Sequence, residues 1–118
     1  MVGERRFFVR FAMSGDVVVQ TDPSKGGSID GELIDLSLDS VGLYSAKTLA
    51  IESKVKFLVI NRQLNINLGG IGRVVYCQKV SADHEYYRAG LEFVEVDRVQ
   101  VKSILMQVRR ISVIKGVK

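Results

Sequence analysis

The sequence predicts a mainly β fold, a six-stranded antiparallel barrel followed by one C-terminal α-helix. Three observations carry that expectation. Apolar and polar residues alternate through the middle of the chain, as in Leu64-Asn65-Ile66-Asn67-Leu68, the pattern of strands with one buried face. Clusters of turn formers separate these runs at hairpin spacing. After Asp97 the apolar period lengthens to that of a helix.

The strands are expected over roughly 15–21, 28–36, 41–46, 54–60, 63–80 and 85–95, the fifth long and broken near Gly69-Gly70. Val55, Phe57 and Val59 share one face, as do Tyr87, Ala89, Leu91 and Phe93, with Arg88, Gly90 and Glu92 opposite. The links are Thr21 to Gly27, Leu38-Asp39-Ser40, Asn61-Arg62 and Ser81 to Glu85, all rich in Gly, Asp, Asn or Ser, which favour turns. In the last element Val101, Ile104, Leu105, Val108 and Ile111 form an apolar stripe. Asp97 is the expected N-cap, and Arg109 and Arg110 suit the negative end of the helix dipole. A helix packed on the barrel fits this stripe, with a partner-binding helix as the alternative. A membrane-surface helix does not, because no aromatic residue anchors it.

With 118 residues and 13.1 kDa the chain suffices for one domain. We divide it into an arm over 1–12, a barrel over 13–96 and a helix over 97–112. An apolar fraction of 47% and a charged fraction of 25% are ordinary for a globular chain and exclude disorder. No apolar run approaches the roughly 18 residues of a membrane span. Glu4, Arg5, Arg6 and Arg10 leave no room for a secretory leader at the start. The single Cys77 suits a reducing cytoplasm, and one cysteine with one histidine, His84, builds no structural zinc site.

The net charge of +4 is unevenly placed. From Arg98 onward there are six basic residues and no acidic ones, so residues 1–97 carry a net charge of −2. Arg5, Arg6 and Arg10 form a tight second cluster in that slightly acidic body. Compact clusters hold compact anions, whereas spread charge tracks a polymer. Tyr86, Tyr87 and Arg88 are the nearest approach to a nucleic-acid face, and Glu85, Glu92 and Glu95 surround them. A small nucleic-acid-binding barrel is therefore the weaker alternative.

Catalysis is hard to assemble from these residues. His84 sits in a polar turn, Cys77 reads as a packed strand residue, and no carboxylate pair is placed for acid–base work. Gly69-Gly70-Ile71-Gly72 is followed by a strand-like run instead of a helix, so it reads as a bulge or turn and not as a phosphate loop. No enzyme, metal site or cofactor is expected.

Two stretches invite a ligand. The first is Arg6-Phe7-Phe8-Val9-Arg10, preceded by Arg5. A guanidinium matches a phosphate, or the O6 and N7 edge of guanine, through paired donors, and its face stacks on a base. The second runs from Asp35 through Ser37 and Ser40 to Gly42. Asp35 and Ser37 lie two apart and on a strand face the same side. Asp35 can accept from the N1 and N2 donors of guanine, or from an arginine that touches the ligand. Ser37 can donate to a phosphate or cap the turn. A hairpin turn whose Asp and Ser bond only the local backbone fits the same residues.

Together these stretches resemble the PilZ family, whose signature is Arg-x-x-x-Arg on an N-terminal arm followed by Asp/Asn-x-Ser-x-x-Gly. Arg6 and Arg10 match the first half, and Asp35 and Ser37 the second. Gly72-Arg73-Val74-Val75-Tyr76 and Arg88-Ala89-Gly90-Leu91-Glu92-Phe93 are similar to the family's last two strands. The resemblance covers nearly the whole chain. It implies a split, six-stranded PilZ-like barrel that binds the bacterial second messenger cyclic di-GMP and signals through a partner protein. The arm is expected to order over the nucleotide against Asp35 and Ser37, changing the surface shown to that partner. Arg5, directly before the first motif, implies two ligand molecules per chain.

The sequence departs from the signature at Ser40, which stands where the family has glycine; a glycine returns at Gly42. A serine forced into a glycine conformation or contact would cost about 1–2 kcal/mol and weaken binding without abolishing it. A ligand-blind protein-interaction module is the alternative this departure raises. Tyr76 offers a stacking surface, though packing on its strand is the expected role.

Overall fold

In the computed structural model the described residues are 9–21 and 27–116, with side chains described to Arg109. The strands are β1 (Phe11–Ala12), β2 (Asp16–Gln20), β3 (Ile29–Leu36), β4 (Ser40–Ser45), β5 (Lys54–Asn61), β6 (Ile66–Ser81) and β7 (His84–Val96), followed by the helix α1 (Arg98–Gly116). All pairings are antiparallel, in the order β3-β2-β5-β6-β7-β4, and β4 returns to β3 to close a six-stranded barrel. Closure leaves no long edge to aggregate. The two-residue β1 continues the edge that β2 occupies on β3, with Phe11 opposite Leu36 and Ala12 opposite Asp35.

Alternation works as the sequence reading expects in β5, where Val55, Phe57 and Val59 are buried, and in β7, where Ala89, Leu91 and Phe93 are buried. The rings of Phe57 and Phe93 stack 5.5 Å apart in the barrel interior. Strand β6 starts later than expected, because Asn65 takes a left-handed φ of 55° and turns the chain. It then runs unbroken along β5 past Gly69-Gly70, and its irregularities lie on the β7 side, the first between Ile71 and Gly72.

The helix begins as its cap residue dictates: Asp97 Oδ1 accepts the backbone N–H of Gln100 at 3.1 Å. Val101, Ile104, Leu105 and Val108 are buried against the barrel, each contributing roughly 1.5–3 kcal/mol of apolar burial. Polar ties fix its position. Arg98 donates to the Leu38 carbonyl at 3.1 Å and Gln100 to the Asn67 carbonyl at 2.7 Å. The helix runs to Gly116, beyond the expected end at 112.

Candidate functional site

The site is one row of residues across the outside of the barrel: Asp35 on β3, Gly42 on β4, Gly90 on β7 and Tyr76 on β6, each opposite the next. Strict alternation would not put Asp35 there. Leu33 and Leu36 are both buried, three residues apart, so the two-residue period must break between them. It breaks at a bulge: Leu33 pairs Leu43 and Asp35 pairs Gly42, leaving Ile34 as the extra residue. The same device acts at the far end. Val74 pairs Leu91 and Tyr76 pairs Gly90, so Val75 is extra and Tyr76 turns outward.

The two glycines let the outer residues lie down on the sheet. A Cβ at Gly42 would fall on Asp35 Oδ1, and one at Gly90 would fall in the Tyr76 ring. A carboxylate and an aromatic ring thus approach from opposite sides over adjacent bare backbone.

Arg10 completes the arrangement. Its Nη2 donates to Asp35 Oδ1 at 2.7 Å, an ion pair with side-chain exposures of 26% and 16%. Its Nη1 donates to Ser40 Oγ at 2.6 Å. The guanidinium is thereby fixed in position and orientation by two partners from the β3–β4 hairpin. A contact of this charge-assisted kind contributes about 1.5–3 kcal/mol.

Ser37 lies beneath, fully buried. Its hydroxyl donates to Asp39 Oδ1 at 2.6 Å and accepts from the backbone N–H of Asp39 and Ser40 at 3.3 and 3.2 Å. It is the turn's cap, one of the two roles the sequence allows. It does not share a face with Asp35, because β3 ends at Leu36. Asp35, by contrast, bonds the arginine and not its own turn.

Ser40 corrects the sequence reading. The non-glycine residues at left-handed φ among those described are Glu52 and Asn65, so Ser40 carries no glycine-like strain. It opens β4 as an ordinary strand residue, 7% exposed. Its side chain links Arg10 to Asp39, whose Oδ1 lies 3.2 Å from the hydroxyl. The departure from the motif acts through a contact.

Arg10, Asp35, Ser40 and Gly42 are therefore brought together, Ser37 supports them from below, and Arg5 and Arg6 lie outside the described residues. Tyr76, offered by the sequence as a stacking surface but expected to pack on its strand, lies flat against Gly90 at the end of the row. A signal was present: Val74-Val75-Tyr76-Cys77 has no clean alternation, the mark of a bulged strand. Cys77 is half-buried, its Sγ 3.4 Å from the Leu49 backbone N–H. Tyr86 is engaged with its own fold, donating to Glu32 Oε1 at 2.6 Å and stacking on Tyr44. Among the described residues no group of three or more His, Cys, Asp or Glu can hold a metal ion. No described helix is long and apolar enough to cross a membrane.

The family model for the PilZ domain matches residues 4–110. The chain is similar to the PilZ domain of YcgR from Escherichia coli, solved with c-di-GMP, at a TM-score of 0.75 and 16% identity, covering 98% of this chain and 99% of that one. It is also similar to the Bacillus subtilis inhibitor of motility, MotI/DgrA, at a TM-score of 0.72 and 16% identity. There it covers 95% of this chain and spans 53% of the other. No curated protein matches it.

Proposed function

Because the chain belongs to the PilZ domain family, we propose that it is a cyclic di-GMP-binding receptor or adaptor, not an enzyme, that passes the signal to a partner protein. The observation that carries this reading is Arg10, held between Asp35 and Ser40 beside a glycine row that ends in an aromatic ring. A cyclic dinucleotide offers phosphates to a guanidinium, N–H donors to a carboxylate and flat bases to a ring. The outer face presents a partner for each: Asp35 and Tyr76 at the ends of one row, and Arg10 over it. The c-di-GMP in the YcgR PilZ structure supports the same reading.

In this reading Arg10 takes a phosphate or the guanine O6 and N7 edge, Asp35 takes guanine N1 and N2, and Gly42 keeps the backbone close. Arg6 supplies the second motif arginine. Arg5 adds a third guanidinium, enough cationic surface to hold two interleaved ligand molecules. Arg10 and its neighbours transmit occupancy to the surface a partner reads, in bacterial motility, adhesion or polysaccharide signalling.

One observation favours a second reading. Ser40 occupies one of Arg10's donors where the family has glycine, and a ligand-blind interaction module would tolerate that. Calorimetric titration decides between them. Cyclic di-GMP is expected to bind at about two equivalents in the wild type and about one in Arg5→Leu. No heat and no chemical-shift change at millimolar ligand selects the ligand-blind module.

A further inference from the structure

The strand geometry that delivers Arg10 also builds a second surface. Arg10 reaches the Asp35 side of the chain, while its neighbours Val9 and Phe11 line a groove of about 450 Å3 against α1. Leu38, Leu105 and Met106 complete its apolar lining. Much of this is open to solvent: Val9 is 68% exposed and Met106 59%. Further exposed apolar surface continues along the helix at Val99, 77% exposed. Apolar side chains concentrated in one concavity mark an interaction site, unlike those scattered singly over a surface.

Charge specifies the occupant. Lys102 and Arg109 form the basic lip of the groove, and Arg98 stands beside Lys102 in the adjoining depression. Helix α1 contains no acidic residue. Of the described acids near these cations, Asp39 already accepts from the Ser37 and Ser40 hydroxyls, and Asp97, next to Arg98, caps the helix through the Gln100 backbone N–H. Val99, Lys102, Met106 and Arg109 follow three- and four-residue spacing along one stripe, a length of about 15 Å. We propose that this groove docks an acidic amphipathic helix of another protein, with apolar anchors between β1 and α1 and carboxylates against Lys102, Arg109 and Arg98.

The location gives the dock a connection to the nucleotide row. Val9, Arg10 and Phe11 are consecutive, and the short β1 ties them to β3 at Leu36 and Asp35. A ligand that shifts Arg10 shifts Val9 and Phe11 with it, so the groove and the row are coupled. By linkage the coupling is reciprocal. This coupling alone rests on the nucleotide reading proposed above.

The probe is a labelled synthetic helix with leucines at three- and four-residue spacing and glutamates elsewhere, measured by fluorescence anisotropy. Its counterpart with every Glu replaced by Lys is the charge control, and vesicles rich in anionic lipid are the surface control. The acidic peptide is expected to bind, and the basic one about tenfold more weakly or less. Met106→Glu and Lys102→Glu, both at exposed positions, are each expected to weaken the acidic peptide about fivefold with an unchanged melting profile. Saturating cyclic di-GMP is expected to change the peptide affinity about threefold in the wild type and not in Arg10→Ala. Equal binding of both peptides, absence of peptide binding with or without cyclic di-GMP, or sedimentation with vesicles in place of peptide binding overturns the dock. Absence of cyclic di-GMP binding in calorimetry overturns the nucleotide reading and the coupling, and leaves the peptide result to stand on its own.

Discussion

Two neighbouring rows on the outer face of the barrel cross the same four strands and have opposite characters. One is Asp35, Gly42, Gly90 and Tyr76; the next is Glu32, Tyr44, Arg88 and Gln78. In the second row the central positions carry large side chains, and the sheet covers itself. Tyr44 stacks on Tyr86 at 5.0 Å, and Tyr86 is hydrogen-bonded to Glu32. In the first row the central positions are glycines, so the flanking side chains lie flat and Arg10 enters over them. The difference is two missing side chains. A β surface becomes a site where its middle is emptied and its ends are aimed.

The strongest test of that contrast truncates the arginine over the first row and a tyrosine of the second. Arg10→Ala is expected to weaken cyclic di-GMP binding about 10- to 100-fold, the loss of one charge-assisted contact. Tyr44→Ala, in the self-covered row, is expected to change it less than about twofold. Calorimetry on both variants checks the pair, and a comparable loss in Tyr44→Ala would abolish the distinction between the rows.

Refilling the row comes next. Gly90→Ala places a methyl in the Tyr76 ring and is expected to cost about 1–3 kcal/mol by overpacking. That corresponds to a thermal midpoint lower by about 4–8 °C per kcal/mol, with ligand affinity reduced about tenfold as the ring is displaced. Thermal melts and titration read the two effects separately.

Ser40→Gly sharpens the comparison from the other direction. Without the hydroxyl, Arg10 Nη1 is released for a phosphate, and binding is expected to tighten about threefold to tenfold. Stability is expected to fall by about 0.5–1 kcal/mol, because Ser40 is unstrained and glycine adds backbone entropy to the unfolded chain. A rise in the melting midpoint would restore the strain reading.

The smallest effect belongs to the self-covered row alone. The Tyr86 phenol is pushed up from 10.0 to about 12, first by its hydrogen bond to Glu32 and then by burial. The folded protein holds this proton more tightly than the unfolded chain. The associated stabilisation is therefore complete below pH 10 and lost as pH rises through 12. Ultraviolet titration of tyrosinate should show one delayed phenol that returns to the ordinary range in Glu32→Gln, with ligand binding unaffected.

The fold was legible because β2, β5, most of β7 and the helix keep their periods. Val55, Phe57 and Val59 and the helical set from Val101 to Val108 are buried as the spacing requires, and Asp97 caps where an Asp before a helical stripe should. The pairing of Arg10 with Asp35 was legible as motif chemistry. The outward turn of Tyr76 and the true place of Ser37 were not, because period-two counting carries no information across a bulge or past a strand end. Ser40 was misread for a different reason. A motif glycine indicates either backbone conformation or close approach, and only the φ of the residue in place separates them.

The extra residues Ile34 and Val75 make the site a matter of parity. Each stands one position before an end of the glycine row and exchanges outside for inside in its strand. Replacing either side chain leaves that count intact. Removing or adding one residue there would swing Asp35 or Tyr76 into the barrel and bring an apolar neighbour out. Spacing therefore matters to this row as much as identity: the interval from Leu33 to Asp35, and from Val74 to Tyr76, decides which side chains it presents.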